Sequence, residues 1–227
     1  MTQSDLFWEG EGDRYFERND SGSDSNRSSF HDVREILRIL STHAPAVNQV
    51  LEIGCSSGRK LEKLCEGFSA RGVGVDPSAK AVEEGNRRLQ NHNLDIELFR
   101  NLASELGFPD GNFDLVFLGF FLYVEDRGRI LESLVQADRV LRAGGFLAVR
   151  DFAPEFPYSK PYSHDRRASS FKNNYAEFFL SLHHYVLVAN LPFNTEGEMG
   201  FELNHDFREN LVILYKKPFP YPDFPGQ

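Results

Sequence analysis

The segment Glu52-Ile53-Gly54-Cys55-Ser56-Ser57-Gly58 lies between a short apolar run, 49–53, and a stretch of helical periodicity, 58–70. Glycines at such a junction let the backbone turn sharply and let a ligand approach with no Cβ in the way. The N-terminus of the following helix favours an anion or a carboxylate. A dinucleotide fingerprint needs G-x-G-x-x-G. Here Gly54 is present, Ser56 fills the second glycine slot, and the last glycine arrives one residue early, at Gly58. Pyrophosphate binding is therefore disfavoured, and the absence of a following Gly-Lys-Ser/Thr excludes a P-loop. A tight strand–helix turn with no ligand would use the same glycines. Asp76 follows at the end of a second apolar run, 72–75. An acid at that point can accept both hydroxyls of a ribose. Its alternative use is to start a helix, although Ser78 already supplies an N-cap.

Positioning these residues requires a regular frame. Val33, Ile36, Leu37, Ile39 and Leu40 recur at helical spacing over 31–43. Strand patterns at 49–53, 72–75, 96–100, 113–118 and 146–151 alternate with helices expected at 58–70, 78–90 and 128–141, the last ended by Ala143-Gly144-Gly145. The run 113–118 is almost continuously apolar, as expected for a strand buried on both faces. This alternation predicts an α/β fold: a doubly wound, mostly parallel sheet whose ligands sit at the carboxyl ends of the strands. Beyond residue 152 the pattern is less regular. Pro154, Pro157 and Pro161 punctuate an expected loop, followed by a helix at 174–182, a strand at 185–190 and a final strand at 209–216, antiparallel to the sheet.

The N-terminal stretch 5–18 is amphipathic, with Phe7, Trp8, Tyr15 and Phe16, and it joins the rest through a serine-rich segment up to Ser29. An aromatic segment on a flexible connection predicts that 5–19 folds over the ligand as a lid, with Tyr15 or Trp8 touching it and the serine stretch as hinge, the two together making up 1–30. Residues 31–227 form the main domain, with 152–184 as an insertion. The 227 residues carry 25 Lys plus Arg against 34 Asp plus Glu, a net charge of −9, which argues against nucleic acid as a partner. The longest near-apolar run, 115–124, is too short to span a bilayer, and the acidic start of the chain lacks a secretory apolar core. Two cysteines, Cys55 and Cys65, make neither a disulfide framework nor a zinc site alone. A cytoplasmic monomer or homodimer is expected.

The turn at 52–58 resembles motif I of the class I S-adenosylmethionine-dependent methyltransferases, E/D-x-G-x-G-x-G, with Ser56 at the middle glycine. Three further features carry the resemblance: Gly72-Val-Gly-Val-Asp76-Pro77-Ser78, the turn Phe108-Pro-Asp-Gly-Asn-Phe-Asp114, and the helix–turn–strand run from Asp138 to Val149. Together they cover roughly 33–152 in the family's order. The segments 118–127, 150–152, 161–164 and 171–175 look like a bacterial subgroup of this family. The segment 7–19 looks like methylases found beside surface-sugar biosynthesis genes. The resemblance implies a seven-stranded sheet with an antiparallel last strand and S-adenosylmethionine as methyl donor. It implies that Glu52 and the backbone of Gly54, Cys55, Ser56 and Gly58 hold the donor's methionine part, that Asp76 and Pro77 meet the ribose, and that Ala103 offers its N–H to the adenine. Leu118 and Gly119 would let the ammonium reach backbone carbonyls. A metal-dependent methyltransferase would want carboxylates after strand four and Asp-Asn after strand five, where this chain has Leu118-Gly119 and Asp151-Phe152, so no metal is expected.

On the acceptor side the resemblance points to the ends of strands four and five and the insertion. His164 is the first candidate for a base, because histidine titrates near neutrality. An exposed loop histidine is the alternative. Tyr123 and Asp151 are further catalytic candidates, with core packing and loop capping as their alternatives. Tyr158, Tyr162, Arg166, Lys172 and Tyr175 are expected to bind a small polar, anionic acceptor, with ordinary solvated charge as the alternative for the basic ones. The expected reaction is methyl transfer to oxygen or nitrogen of a small metabolite, sugar-related by the N-terminal likeness. Two other classes stay open: a nicotinamide oxidoreductase on a related sheet, and a non-catalytic methyltransferase-like partner protein.

Overall fold

A computed structural model describes residues 2–19, 30–43, 46–194 and 197–218. The serine-rich stretch read as a hinge, 20–29, lies outside the described residues. Nine strands and seven α-helices are described: β1 (Gln49–Ile53), β2 (Arg71–Asp76), β3 (Ile96–Arg100), β4 (Phe113–Gly119), β5 (Leu141–Phe152), β6 (Tyr158–Pro161), β7 (Ser169–Lys172), β8 (Tyr185–Phe193) and β9 (Glu209–Lys216), with α1 (Gln3–Leu6), α2 (Gly12–Asn19), α3 (His31–His43), α4 (Arg59–Phe68), α5 (Ala79–Leu89), α6 (Ile130–Val140) and α7 (Ala176–Ser181).

Seven strands form one sheet in the order β3-β2-β1-β4-β5-β9-β8. The strands from β1 to β5 pair in parallel, and β9 runs antiparallel to both β5 and β8. This is the fold class expected from the alternation of strands and helices. The order reverses beside β1, whose neighbours are β2 and β4. Such a switch point opens a crevice at the carboxyl ends of the strands. Both faces of the sheet are covered. Val33, Ile36 and Leu40 of α3 and Leu61 and Leu64 of α4 pack on one side with Leu115 and Phe117. Leu134 and Ala137 of α6 and Phe179 of α7 pack on the other with Val116 and Leu118. Strand β4 contributes to both cores, so its continuous apolar run follows from double burial.

Two local expectations are corrected. Helix α6 ends at Val140, and β5 begins at Leu141, ahead of Gly144-Gly145 rather than after them. Gly144 takes φ +78°, and a Cβ on Gly145 would meet Leu141 and Asp114 at 2.7–2.8 Å. The glycines therefore carry a bulge where the β4–β5 register shifts, instead of ending the helix. The stretch read as a proline-punctuated loop contains the hairpin β6–β7, with Tyr158 paired to Lys172 and Pro161 to Ser169. Pro161 is tolerated because it ends its strand.

The N-terminal segment packs on the main domain. Thr2 and Asp5 form a capping box on α1. A π-helical turn, Phe7–Glu11, joins α1 to α2. Gln3 donates to the carbonyls of Val124 at 2.6 Å and Ser169 at 2.9 Å. Asp13 of α2 accepts from Ser78 Oγ at 2.7 Å and from the Lys80 N–H at 3.0 Å, at the start of α5. Among the described residues, no helix is long and apolar enough to cross a membrane.

Candidate active site

The turn after β1 is built by backbone geometry. Gly54 takes φ +75°, and a Cβ there would lie 2.8 Å from the Phe121 ring. The N–H groups of Gly54 and Cys55 both donate to the Val75 carbonyl, tying the turn to β2. Ser56 follows at φ +49° and donates its N–H to Asp76 Oδ2 at 2.8 Å. The Ser78 N–H donates to Asp76 Oδ1 at 2.9 Å. The carboxylate at the end of β2 is thus held in one orientation before any ligand arrives. Gly58 caps α4 in the left-handed region.

A cavity of about 470 Å³ opens at these strand ends. Of the residues expected to hold a donor, Tyr15, Gly54, Ser56, Asp76, Pro77, Ala103 and Gly119 line it, joined by Asn101 and Leu102. Cys55 and Leu118 are buried behind the wall. The Cys55 thiol packs where a Cβ on Gly74 would otherwise sit, and burial raises its pKa, so it is a packing group and not a nucleophile. Glu52 is 2% exposed, and its Oε2 has no hydrogen-bond partner. Burial, with Asp32 and Asp76 nearby, pushes its carboxyl up to about 8, against the pull of Lys60. A Cβ on Gly119 would meet Glu52 Oε1 at 2.9 Å, so the glycine leaves that oxygen room at the β4 end. Asp76 in the cavity wall and Glu52 buried behind Gly119 suit a cationic ligand bearing a ribose.

The N-terminal segment forms one wall of the cavity through Ser4, Phe7, Gly12, Tyr15 and Phe16. Tyr15 meets Tyr123 hydroxyl to hydroxyl at 3.4 Å. Tyr123 is buried against Phe120 and Phe152, and burial raises its pKa. Asp151 accepts the N–H groups of Tyr123 at 3.3 Å and Phe152 at 2.8 Å. Burial pushes its carboxyl up to about 7. It braces the turn after β4 and does not line the cavity.

The insertion behaves differently from its expected role. His164 is exposed and meets the Tyr162 ring edge-on at 5.3 Å, away from the cavity wall. Tyr158 donates to Asp206, Tyr162 accepts from Arg18 at 3.2 Å, and Tyr175 donates to the Phe171 carbonyl at 2.6 Å. Arg166 is exposed. The Lys172 ammonium donates to the Asp206 carbonyl and lies 3.6 Å from the Phe152 ring centroid. None of these six residues lines the cavity. Asp206, ahead of β9, takes up Tyr158 and Lys172, Arg18 of α2 meets Tyr162, and Phe171 of β7 accepts from Tyr175, while His164 and Arg166 stay exposed, which accounts for the difference.

Residues 50–145 match the family described as "Methyltransferase domain". The matched segment, less than half of the chain, holds the turn after β1 and Asp76, the residues that carry the resemblance to the class I S-adenosylmethionine-dependent methyltransferases. It is 34% identical over 110 residues to the 27-O-demethylrifamycin SV methyltransferase of Amycolatopsis mediterranei, covering 47% of this chain and 39% of that one. The chain spans less than half the length of the curated relatives it matches. Its fold is shared with the Burkholderia thailandensis 1,6-didemethyltoxoflavin-N1-methyltransferase, solved with 1,6-didemethyltoxoflavin and S-adenosylhomocysteine. That likeness has TM-score 0.66 at 17% identity and covers 95% of this chain and 87% of that one. The N-methyltransferase NodS of Bradyrhizobium japonicum, solved with S-adenosylhomocysteine, shares it with TM-score 0.64 at 19% identity, over 90% and 98% of the two chains.

The chain also brings to its cavity charged residues that sequence reasoning missed. Asp32 of α3 pairs with Lys60 of α4, and Arg150 of β5 pairs with Glu209 of β9. All four line the cavity, as do His31 and Glu125. Glu125 accepts from Ser4 Oγ at 3.2 Å. Burial raises the carboxyls of Glu125 and Glu209 above the ordinary range. One local signal existed: Arg150 interrupts the apolar run Phe146-Leu-Ala-Val149 just before the strand end, where ligands gather on such sheets.

Proposed function

We propose that this chain transfers a methyl group from S-adenosylmethionine to an oxygen or nitrogen of a small polar acceptor. The observation that carries this reading is the Ser56–Asp76 turn facing Gly119 across the cavity, with Glu52 buried behind it. Asp76 would accept the ribose hydroxyls, the Ala103 segment would border the adenine, and Glu52 would face the methionine ammonium. When bound, the donor supplies an electrophilic methyl on a sulfonium. The acceptor's lone pair forms the new bond to the methyl carbon in line with the departing sulfur, which keeps the electron pair of the broken C–S bond. The residues' part is to align and enclose. Tyr15, Phe7 and Phe16 exclude water from above, and Phe120 and Phe121 form the side wall. An acceptor O–H or N–H gives its proton to a carboxylate, and Glu125 and Glu209 are cavity carboxylates whose burial raises their proton affinity. Titration calorimetry of the full chain with S-adenosylmethionine and S-adenosylhomocysteine tests the proposal. Binding of both supports it, and no heat with either at millimolar concentration overturns it.

A further inference from the structure

Arg150 stands near the carboxyl end of β5, is 5% exposed, and forms part of the cavity wall. Its guanidinium is fixed on three sides. Nη2 donates to Glu209 Oε2. The Phe193 ring lies 4.5 Å away and the Phe120 ring 5.3 Å away. Phe120 itself is pinned by its N–H to the Arg150 carbonyl at 2.9 Å and held at φ +65°. Non-glycine residues accept that backbone region at a cost, and such strain gathers at ligand-contacting positions. The remaining terminal nitrogen, Nη1, is buried and has no hydrogen-bond partner. A guanidinium is a planar fork suited to carboxylates, and here one prong is taken while the other is left without an acceptor in the buried wall.

The sheet order says which ligand that prong meets. The ribose acid Asp76 ends β2, and β5 lies three strands further on, past β1 and β4. At about 4.8 Å per strand the separation is roughly 14 Å. The guanidinium packs on Phe193 of β8, on the side away from β2. The donor's methionine end belongs beside Gly119 of β4, and the space against Arg150, one strand further on, falls to the acceptor. Charge narrows the class. Glu209 balances Arg150 and Asp32 balances Lys60, while Glu52 is held toward its neutral form. Neighbouring His31 sits against Arg34, with 2.8 Å between its Nδ1 and an Arg34 terminal nitrogen. Asp76 also lines the cavity and offsets the donor's sulfonium, so the one unmet Nη1 donor suits a singly charged, planar carboxylate better than a phosphate dianion.

We propose that Arg150 is the acceptor-recognition residue of this site, and that the acceptor carries a carboxylate that Nη1 holds. This rests on the methyltransferase reading above and moves the anion contact from the insertion to the end of β5. The test uses the full chain saturated with S-adenosylhomocysteine. Benzoate and benzamide are the probes, chosen because Phe7, Phe120 and Phe121 line the cavity. Benzoate is expected to bind about tenfold more tightly than benzamide, the scale of one charge-assisted hydrogen bond. Arg150→Met is expected to abolish that preference while S-adenosylhomocysteine affinity stays within about twofold. If Arg150→Met does not fold, Arg150→Lys, which keeps the charge but not the fork, is expected to weaken benzoate several-fold. Equal binding of the two probes, or an unchanged preference in the variant, overturns the proposal. So does loss of S-adenosylhomocysteine binding in the variant with 5′-methylthioadenosine binding retained, because the guanidinium would then hold the donor's own carboxylate. Failure of the wild type to bind S-adenosylhomocysteine at all is a different result and overturns the methyltransferase reading itself.

Discussion

The Ser56 N–H donates to Asp76 Oδ2 at 2.8 Å, linking the residue in the middle-glycine slot to the acid twenty positions later. Serine holds φ +49° there, a conformation in which glycine is at ease and serine is not. The bond to Asp76 offsets that strain and orients the carboxylate. Both signature positions of the turn therefore act as one unit.

Asp76→Ala is expected to weaken S-adenosylhomocysteine binding. Each charge-assisted hydrogen bond to a ribose hydroxyl is worth about 1.5–3 kcal/mol, so the loss is at least roughly tenfold. Calorimetry reads it, with a thermal melt to show that the variant folds, since Ser56 and Ser78 also lose their acceptor. An unchanged dissociation constant in a folded variant removes Asp76 from the donor site.

Most of the sheet was legible because its signals are local. The run 113–118 reads as a doubly buried strand, and Ser78 reads as an N-cap and is one, accepting from the Ala81 N–H at 3.1 Å. Asp76 was legible because it sits a fixed distance from the turn in a βαβ unit. The pairs Asp32–Lys60 and Arg150–Glu209 were not, because each joins elements far apart in the chain and neither partner carries a local pattern. The basic and aromatic residues of 158–175 misled for the converse reason. Composition showed polar groups near the strand-five end, but Tyr158, Lys172 and Tyr175 find their partners within the hairpin and its neighbours.

Deleting residues 1–19 is expected to leave a folded main domain with weaker donor affinity. The segment contributes a cavity wall but no strand to the seven-stranded sheet. Loss of Tyr15, Phe7 and Phe16 opens the site to water, and a weakening of about tenfold or more corresponds to roughly 1.4 kcal/mol. Parallel circular dichroism and calorimetry check both halves. Undiminished affinity in the truncated chain rules out a lid.

Glu52 predicts a pH dependence. Its folded carboxyl titrates near 8, against an ordinary value of 4.5. Below 4.5 both folded and unfolded states are protonated, and the group has no effect on stability. Between 4.5 and 8 the unfolded chain is ionised while the folded one keeps its proton, so stability falls as pH rises, by up to about 1.4 kcal/mol per unit, and levels off above 8. Glu52→Gln removes this loss. Its melting temperature relative to wild type should climb from pH 5 to pH 8. A donor ammonium favours the ionised carboxylate, so wild-type donor affinity should rise over the same window and stay flat in the variant. Parallel melting curves, with no pH-dependent gap, show that Glu52 is not titrating there.

Lys172 separates a structural role from an acceptor role. The residue is 3% exposed, and its ammonium rests on the Phe152 ring and donates to the Asp206 carbonyl. Burial, with Lys160 nearby, lowers its pKa to about 8. A base with a depressed folded pKa costs stability while it is charged in the folded state. That cost is fully present below pH 8 and is relieved as pH rises toward the ordinary 10.5, because there the unfolded chain binds the proton that the folded one has released. Relative to Lys172→Met, wild type should therefore gain melting temperature between pH 7.5 and 9.5. Turnover of a carboxylate acceptor by the variant should stay within about twofold, as for a residue outside the cavity. A large rise in acceptor KM with an unshifted melting curve would return Lys172 to the acceptor site and take the anion contact away from Arg150.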